Sequence, residues 1–309
     1  MALRASPWEP HASAVDELAA LIARQGIEPF VAAPLLEPND RFFPDEWHGD
    51  DSSLARLAKR FLEYAGLGAY DAVVECRTDA EIDPAAAVWL VGVDGTTCRF
   101  GTTLAGLDDP MIVVATVAYE VARAYRTIQD LDDSQEPSAG ALAVTTIYLG
   151  FGIVTTNASY QYRATGELRG QVAITTWSHK QFGGLSPETM SFLLAAQLGA
   201  RDATSKQFRS VVDELEPNQR SYFEAAFREL MPADVVDRLR LPDRATWPAE
   251  RPLPPDRKVS NARSLLGALR RPADAVPAMT VVRGGRDRSN STRATFLVKG
   301  TTASKGLGL

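Results

Sequence analysis

Residues 114–125, VATVAYEVARAY, set a glutamate in the middle of an apolar stretch with helical spacing. With histidine in place of Tyr119 and Arg123, the stretch would read H-E-x-x-H. In that motif two imidazoles at i and i+4 share a helix face and hold zinc, while the glutamate polarises the zinc-bound water. Here the same face offers Tyr119, Glu120 and Arg123. Tyrosine is a poor zinc ligand. A guanidinium stays protonated, so Arg123 cannot ligate and would repel a cation. Taken alone, these residues predict an ion pair between Glu120 and Arg123 at i,i+3 and stacking of Tyr119 on Arg123 at i,i+4.

Nothing else in the chain rebuilds a metal site. The histidines are His11, His48 and His179, and none is spaced with a second ligand on a helix. Residues 130–136, DLDDSQE, start like a calcium loop, but Gln135 stands where glycine is required and Ala141 where the bidentate glutamate belongs. A solvated acidic loop is expected there, and no metal or cofactor. Cys76 and Cys98 lie in strand-like segments and read as buried, reduced thiols. There is no G-x-S-x-G, and neither cysteine has a histidine near it in sequence.

The elements around this helix are legible as patterns. Residues 13–26 repeat apolar side chains at Val15, Leu18, Leu21 and Ile22 and close on Gly26. A Pro-rich connection follows. A second helix is predicted over 51–68, capped by Asp51 or Ser52 and stopped by Gly66. Strands are predicted at 70–78, 87–94 and 96–104, the last two joined by a turn at Asp94-Gly95. The central helix is predicted over 109–128. Asp108 or Asp109 would cap it, Pro110 would sit in its first turn, and Val114, Val117, Val121, Tyr125 and Ile128 would form one apolar stripe. Residues 139–158 carry no charge over twenty positions, near the length of a membrane span. Their Gly, Ala and Thr content favours instead one helix buried in the domain against 111–128, with Gly150 and Gly152 allowing close approach. Residues 159–184 read as a polar, mixed segment. Helical patterns return at 186–200, 204–216 and 218–230.

Charge is unevenly placed along the 309 residues. Residues 243–309 hold 13 Lys/Arg against 5 Asp/Glu, a net +8, so the rest of the chain carries −14 of the total −6. The basic segment is Pro- and Arg-rich and is expected to be mostly disordered, with a short helix at 261–271. It would be drawn to acidic surfaces. Nucleic acid is not expected as a partner, because no aromatic interleaving accompanies the arginines. The N-terminal stretch lacks an apolar signal core, so a cytoplasmic location is the expectation.

Beyond single motifs, the order of segments over about residues 35–200 resembles a group of bacterial zincin-like proteins of the gluzincin type. The stretch LDDPMIVVATVAYEVAR, 107–123, is similar to that group's metal-binding helix. ALAVTTIYLGFGIVTTNASY, 141–160, is similar to its next helix, with Gly150, Gly152 and Asn157 matching. GGLSPETMSFLLA, 183–195, resembles a later segment. The chain departs from the group at every metal position: Tyr119 and Arg123 replace the two histidines, and Ala143 the acidic ligand. Glu120 alone remains, vestigial.

The resemblance implies an α+β, zincin-like fold: a small antiparallel or mixed sheet packed on a mainly helical domain. Residues 1–106 would hold helices and sheet, 107–242 the helical core, and 243–309 the tail. It implies a catalytically inactive pseudo-metallopeptidase that binds or regulates a protein or peptide. Arg99, Tyr119, Glu120, Arg123 and Asn157 are the candidate cleft residues, and 96–104 the candidate edge strand for main-chain pairing. Tyr119 and Arg123 would give a cationic floor able to receive a carboxylate, or would merely fill the old cavity. Two alternatives stand beside this: a hydrolase using Glu120 with unusual ligands, and a scaffold anchored in a membrane through 139–158.

Overall fold

The structure, a computed structural model, describes residues 6–76, 88–103, 107, 110–132, 136–169 and 172–254, and of 110, 161–169 and 172–181 the backbone. The first long periodic segment folds as expected. Helix α1 (Ala12–Gln25) buries Val15, Leu18, Leu21 and Ile22 and stops at Gly26. A single-turn helix, α2 (Glu28–Ala32), starts the connection to α3 (Asp51–Tyr64). The α3 cap is Asp50, one residue before those predicted. Its carboxylate accepts from the Ser53 N–H at 2.8 Å and satisfies one of the helix's open donors. The helix ends at Tyr64 rather than 68, because the chain turns through Gly66.

Strands β1 (Asp71–Cys76), β2 (Val88–Asp94) and β3 (Thr97–Thr102) make a mixed sheet in the order β1-β3-β2. The β2–β3 hairpin turns at Gly95 as predicted, and β1 then adds parallel to the free side of β3. The strand at 96–104 is therefore central, correcting its expected place as the edge. β2 is an edge, and an irregularity between Leu90 and Gly92 breaks its register with β3. Cys98 is buried in the middle strand, and burial pushes its thiol up to about 11. Cys76 is exposed, contrary to expectation, because it ends an edge strand.

Helix α4 (Pro110–Ile128) follows. Its predicted caps, Asp108 and Asp109, lie outside the described residues. The apolar stripe understates its burial: Ala115, Ala118, Ala122 and Ala124 are buried as well, and their small side chains let neighbours close on several sides. The uncharged segment 139–158 is two helices, not one: α5 (Ala139–Tyr148) and α6 (Gly152–Ala158). Both pack on α4. The break is at Gly150, with φ +86°, where a Cβ would sit 2.4 Å from the Pro34 carbonyl oxygen. The Gly150 carbonyl in turn accepts from the Leu36 N–H at 3.0 Å. The connection after α2 thus packs into the break. Phe61 of α3 meets Phe151 edge-on at 5.0 Å beside it. Among the described residues no helix is long and apolar enough to cross a membrane.

The segment 159–184 holds an antiparallel hairpin that the sequence reading left without structure: β4 (Tyr160–Arg169) and β5 (Val172–Gln181), with Tyr160 opposite Gln181. Helices α7 (Pro187–Ala200), α8 (Ser205–Glu214), α9 (Pro217–Glu229) and α10 (Pro232–Arg238) complete the body. Residues on both sides of the expected 106/107 boundary share one hydrophobic core, Phe61 and Phe100 with Val117, Phe151 and Leu194 among them.

Residues 243–254, expected to belong to the tail, pack on the body. Trp247 and Leu253 pack against the core. The Arg251 N–H donates to the Ala32 carbonyl at 2.7 Å, and its guanidinium reaches the Tyr64 carbonyl at 2.8 Å and Glu28 at 2.6 Å. Residues 255–309, with the predicted helix at 261–271, lie outside the described residues.

Two substitutions test this account. Asp50→Ala should cost about 1 kcal/mol in chemical denaturation. Hydrogen bonds from the Ser53 hydroxyl and backbone N–H hold the Asp50 carboxyl down at about 2, so its contribution should be present above its ordinary value of 3.8 and fade as pH falls towards 2. Asp50→Asn should keep the cap and lose that acid dependence. Gly150→Ala should cost more than about 2 kcal/mol, since an L-residue is strained at positive φ and the added methyl meets Pro34. A Gly150→Ala protein as stable as the parent would refute the proposed break.

Candidate functional site

Helix α4 lies against β2, and Glu120 makes a polar contact between them. It is 8% exposed. Its Oε2 accepts from the Leu90 N–H at 2.8 Å and from Arg123 Nε at 3.1 Å. Because β2 is an edge, the Leu90 N–H that points away from β3 needs a partner off the sheet, and Glu120 supplies it. The predicted i,i+3 pair is present. Arg123 also donates through Nη1 to Glu136 Oε1 at 2.9 Å. Burial pushes the Glu120 carboxyl above the usual carboxylate range, against the opposing pull of Arg123 and the Leu90 amide.

Tyr119 does not stack on Arg123, correcting that expectation. Its ring meets Phe182 edge-on at 5.3 Å, and it is 5% exposed. Its hydroxyl is buried and finds no partner among the described residues. The ring end lies against Gly183, where a Cβ would come within 2.2 Å of the hydroxyl oxygen. Only glycine leaves this room, and the backbone there has φ +87°. Burial raises the phenol's pKa, so the side chain is a neutral plug. Its direction is set by Phe182 and Gly183, residues with no periodic relation to position 119.

The remaining candidates are dispersed. Ala143 is fully buried on α5. Arg99, on the central strand, donates to Glu75 of β1 at 2.7 and 3.0 Å, on the side of β3 away from β2. Asn157 is spent on backbone: its Nδ2 donates to the Glu214 carbonyl at 2.7 Å and its Oδ1 accepts from the Glu216 N–H at 2.9 Å. It ties α6 to the α8–α9 junction. Sequence reasoning missed Leu90 and Glu136. Leu90 acts through its main chain, which leaves no mark on residue type. Glu136 follows an acidic run, but nothing in that run pointed to Arg123.

Could these residues hold zinc? Arg123 brings a cation to one ligand position, Tyr119 turns its oxygen against Gly183, and Ala143 has no donor atom. They do not fit the ion. Among the described residues no group of three or more His, Cys, Asp or Glu side chains could hold a metal. No protein-family model, curated protein or solved structure matches the chain.

Stability measurements separate a bridging Glu120 from a spectator. Glu120→Ala strands the Leu90 N–H and loosens Arg123, at an expected cost of about 2–3 kcal/mol. Glu120→Gln keeps an acceptor and should cost about 1 kcal/mol. Because the folded-state pKa of Glu120 is raised, the parent's advantage over Glu120→Gln should be greatest below its ordinary value of 4.5 and shrink as pH rises through the raised value. An advantage that instead grows with pH would overturn the assignment of burial as the dominant cause.

Proposed function

We propose that this chain is a metal-free, zincin-like protein without hydrolytic activity, whose role is to bind a partner. The observation that carries the reading is the occupation of Glu120. A general base needs a lone pair facing the water it activates. Here the carboxylate is nearly buried, and its Oε2 is taken by Leu90 and Arg123. The glutamate that would serve catalysis in an H-E-x-x-H helix instead joins helix to sheet. The substitutions at 119, 123 and 143 agree with this: a plug, a cation and a methyl stand where three ligands would be needed.

Zinc content decides. Elemental analysis of the purified full chain should find no stoichiometric zinc. About one zinc per chain, lost on mutation of Glu120, would sink the proposal. The double substitution Tyr119→His, Arg123→His should not create a tight site, because Ala143 still lacks a carboxylate and position 119 faces Gly183.

A further inference from the structure

We infer that the Arg123 guanidinium receives a single carboxylate carried by a partner polypeptide, and that Glu136 is the internal group this carboxylate displaces. The inference rests on the metal-free reading above and names the chemistry the site would recognise. Arg123 Nε is committed to Glu120, which is held in place by the Leu90 N–H. Nη1 is taken by one oxygen of Glu136, and Nη2 has no partner among the described residues. The Arg123 side chain is 23% exposed, whereas that of Glu136 is 83% exposed. One edge of a largely shielded guanidinium is therefore fixed from inside, and the other edge is half used from solvent.

These two pairs differ in strength for a physical reason. An exposed carboxylate held through one contact contributes little, because water competes and side-chain entropy is lost. A ligand carboxylate spanning Nη1 and Nη2 would make two parallel charge-assisted bonds, the arrangement that suits a planar fork. Since Glu120 already orients Arg123, little further ordering of that side chain is needed on binding. Glu136 marks the chemistry: a carboxylate of the chain's own occupies part of the place a ligand would take. The net −14 of residues 1–242 works against any highly acidic partner. Screening over ~8 Å limits that repulsion to short range. It selects for one carboxylate on an otherwise neutral segment rather than an acidic tract. Such a carboxylate is either a chain's C-terminus or one Asp or Glu side chain.

The test uses the isotope-labelled full chain and the Arg Nε–H signals in its nitrogen–proton spectrum, with Arg123 assigned by its loss in Arg123→Lys. Three probes are titrated: a short alanine peptide with a free C-terminus, the same peptide amidated, and the amidated peptide carrying one glutamate. The expected result is a saturable shift of the Arg123 signal with one or both carboxylate-bearing peptides and none with the amidated alanine peptide. Which of the two responds identifies the source. Glu136→Gln should tighten binding at least about threefold, since the competitor is removed. Binding by Arg123→Lys, followed on its backbone amide signals, should be lost. Equal shifts with the amidated alanine peptide, or no response even in Glu136→Gln, would overturn the inference. If Arg123→Lys fails to fold, the Glu136→Gln comparison decides alone, because Glu136 is exposed. A zinc-free protein that ignores carboxylates sinks this inference and leaves the metal-free reading intact; a zinc-bound protein sinks both.

Discussion

A carboxylate taken out of water must be met by donors. In this fold that requirement falls on Glu120, set in a helix surrounded by core on several sides. Unmet, an ionised carboxylate in such a place would cost several kcal/mol, far more than a single contact returns. The edge of a sheet poses the complementary demand, since the N–H groups of β2 that face away from β3 need acceptors. One hydrogen bond from Leu90 to Glu120 answers both. Once it is made, β2 has a fixed position along α4, and with it β3 and β1. The small sheet is thereby tied to the helical core through a residue that an H-E-x-x-H helix would use for catalysis.

The same logic of buried polar groups recurs where distant segments meet. Arg126 on α4 donates to Asp132, to Glu17 of α1 and to Thr145 of α5, and so joins three elements. Arg201 gives its guanidinium to the carbonyls of Phe30 and Ala33 at the end of α2. Arg251 clips the segment after α10 to Glu28 and the end of α3. Arginine suits this work because a planar fork can satisfy several carbonyls and carboxylates at once. Tyr119 is one of several exceptions among the described residues, with Thr156 Oγ1 and Gln197 Oε1 also buried and unpartnered. The Tyr119 hydroxyl is buried without a partner among the described residues, so the ring's packing on Phe182 must offset an unmade hydrogen bond.

Much of the fold was legible along the chain. Spacing of three to four residues marked α1, α3, α4 and α7, and Asp94-Gly95 marked the β2–β3 hairpin. These signals are local: one face of a helix or one turn carries them in a few consecutive residues. Two of the failures have causes that lie elsewhere in the chain. Strand β3 was misplaced at the edge because pairing order depends on which face of a hairpin a third strand joins. The long uncharged run was read as one helix because Gly150 is tolerated in a helical pattern. What breaks it is the Pro34 carbonyl, contributed from more than a hundred residues away. The β4–β5 hairpin is the exception, since Tyr160, Tyr162, Ala164 and Leu168 do alternate with polar residues; the polar half of each strand resembles a loop when alternation is not weighed.

For the site, the sequence by itself determined what the residues cannot do. Tyr119, Arg123 and Ala143 supply no imidazole or carboxylate by side-chain type alone, and the i,i+3 spacing of Glu120 and Arg123 settles their pairing, because helix geometry makes such neighbours meet. Only the tertiary structure decided what Glu120 does instead, where Tyr119 points, and which acid shares Arg123. Those answers depend on a main-chain N–H, on a glycine without a Cβ and on a loop carboxylate. Each is brought to α4 by folding, and a backbone donor or an absent side chain has no signature in residue type from which its partner could be read.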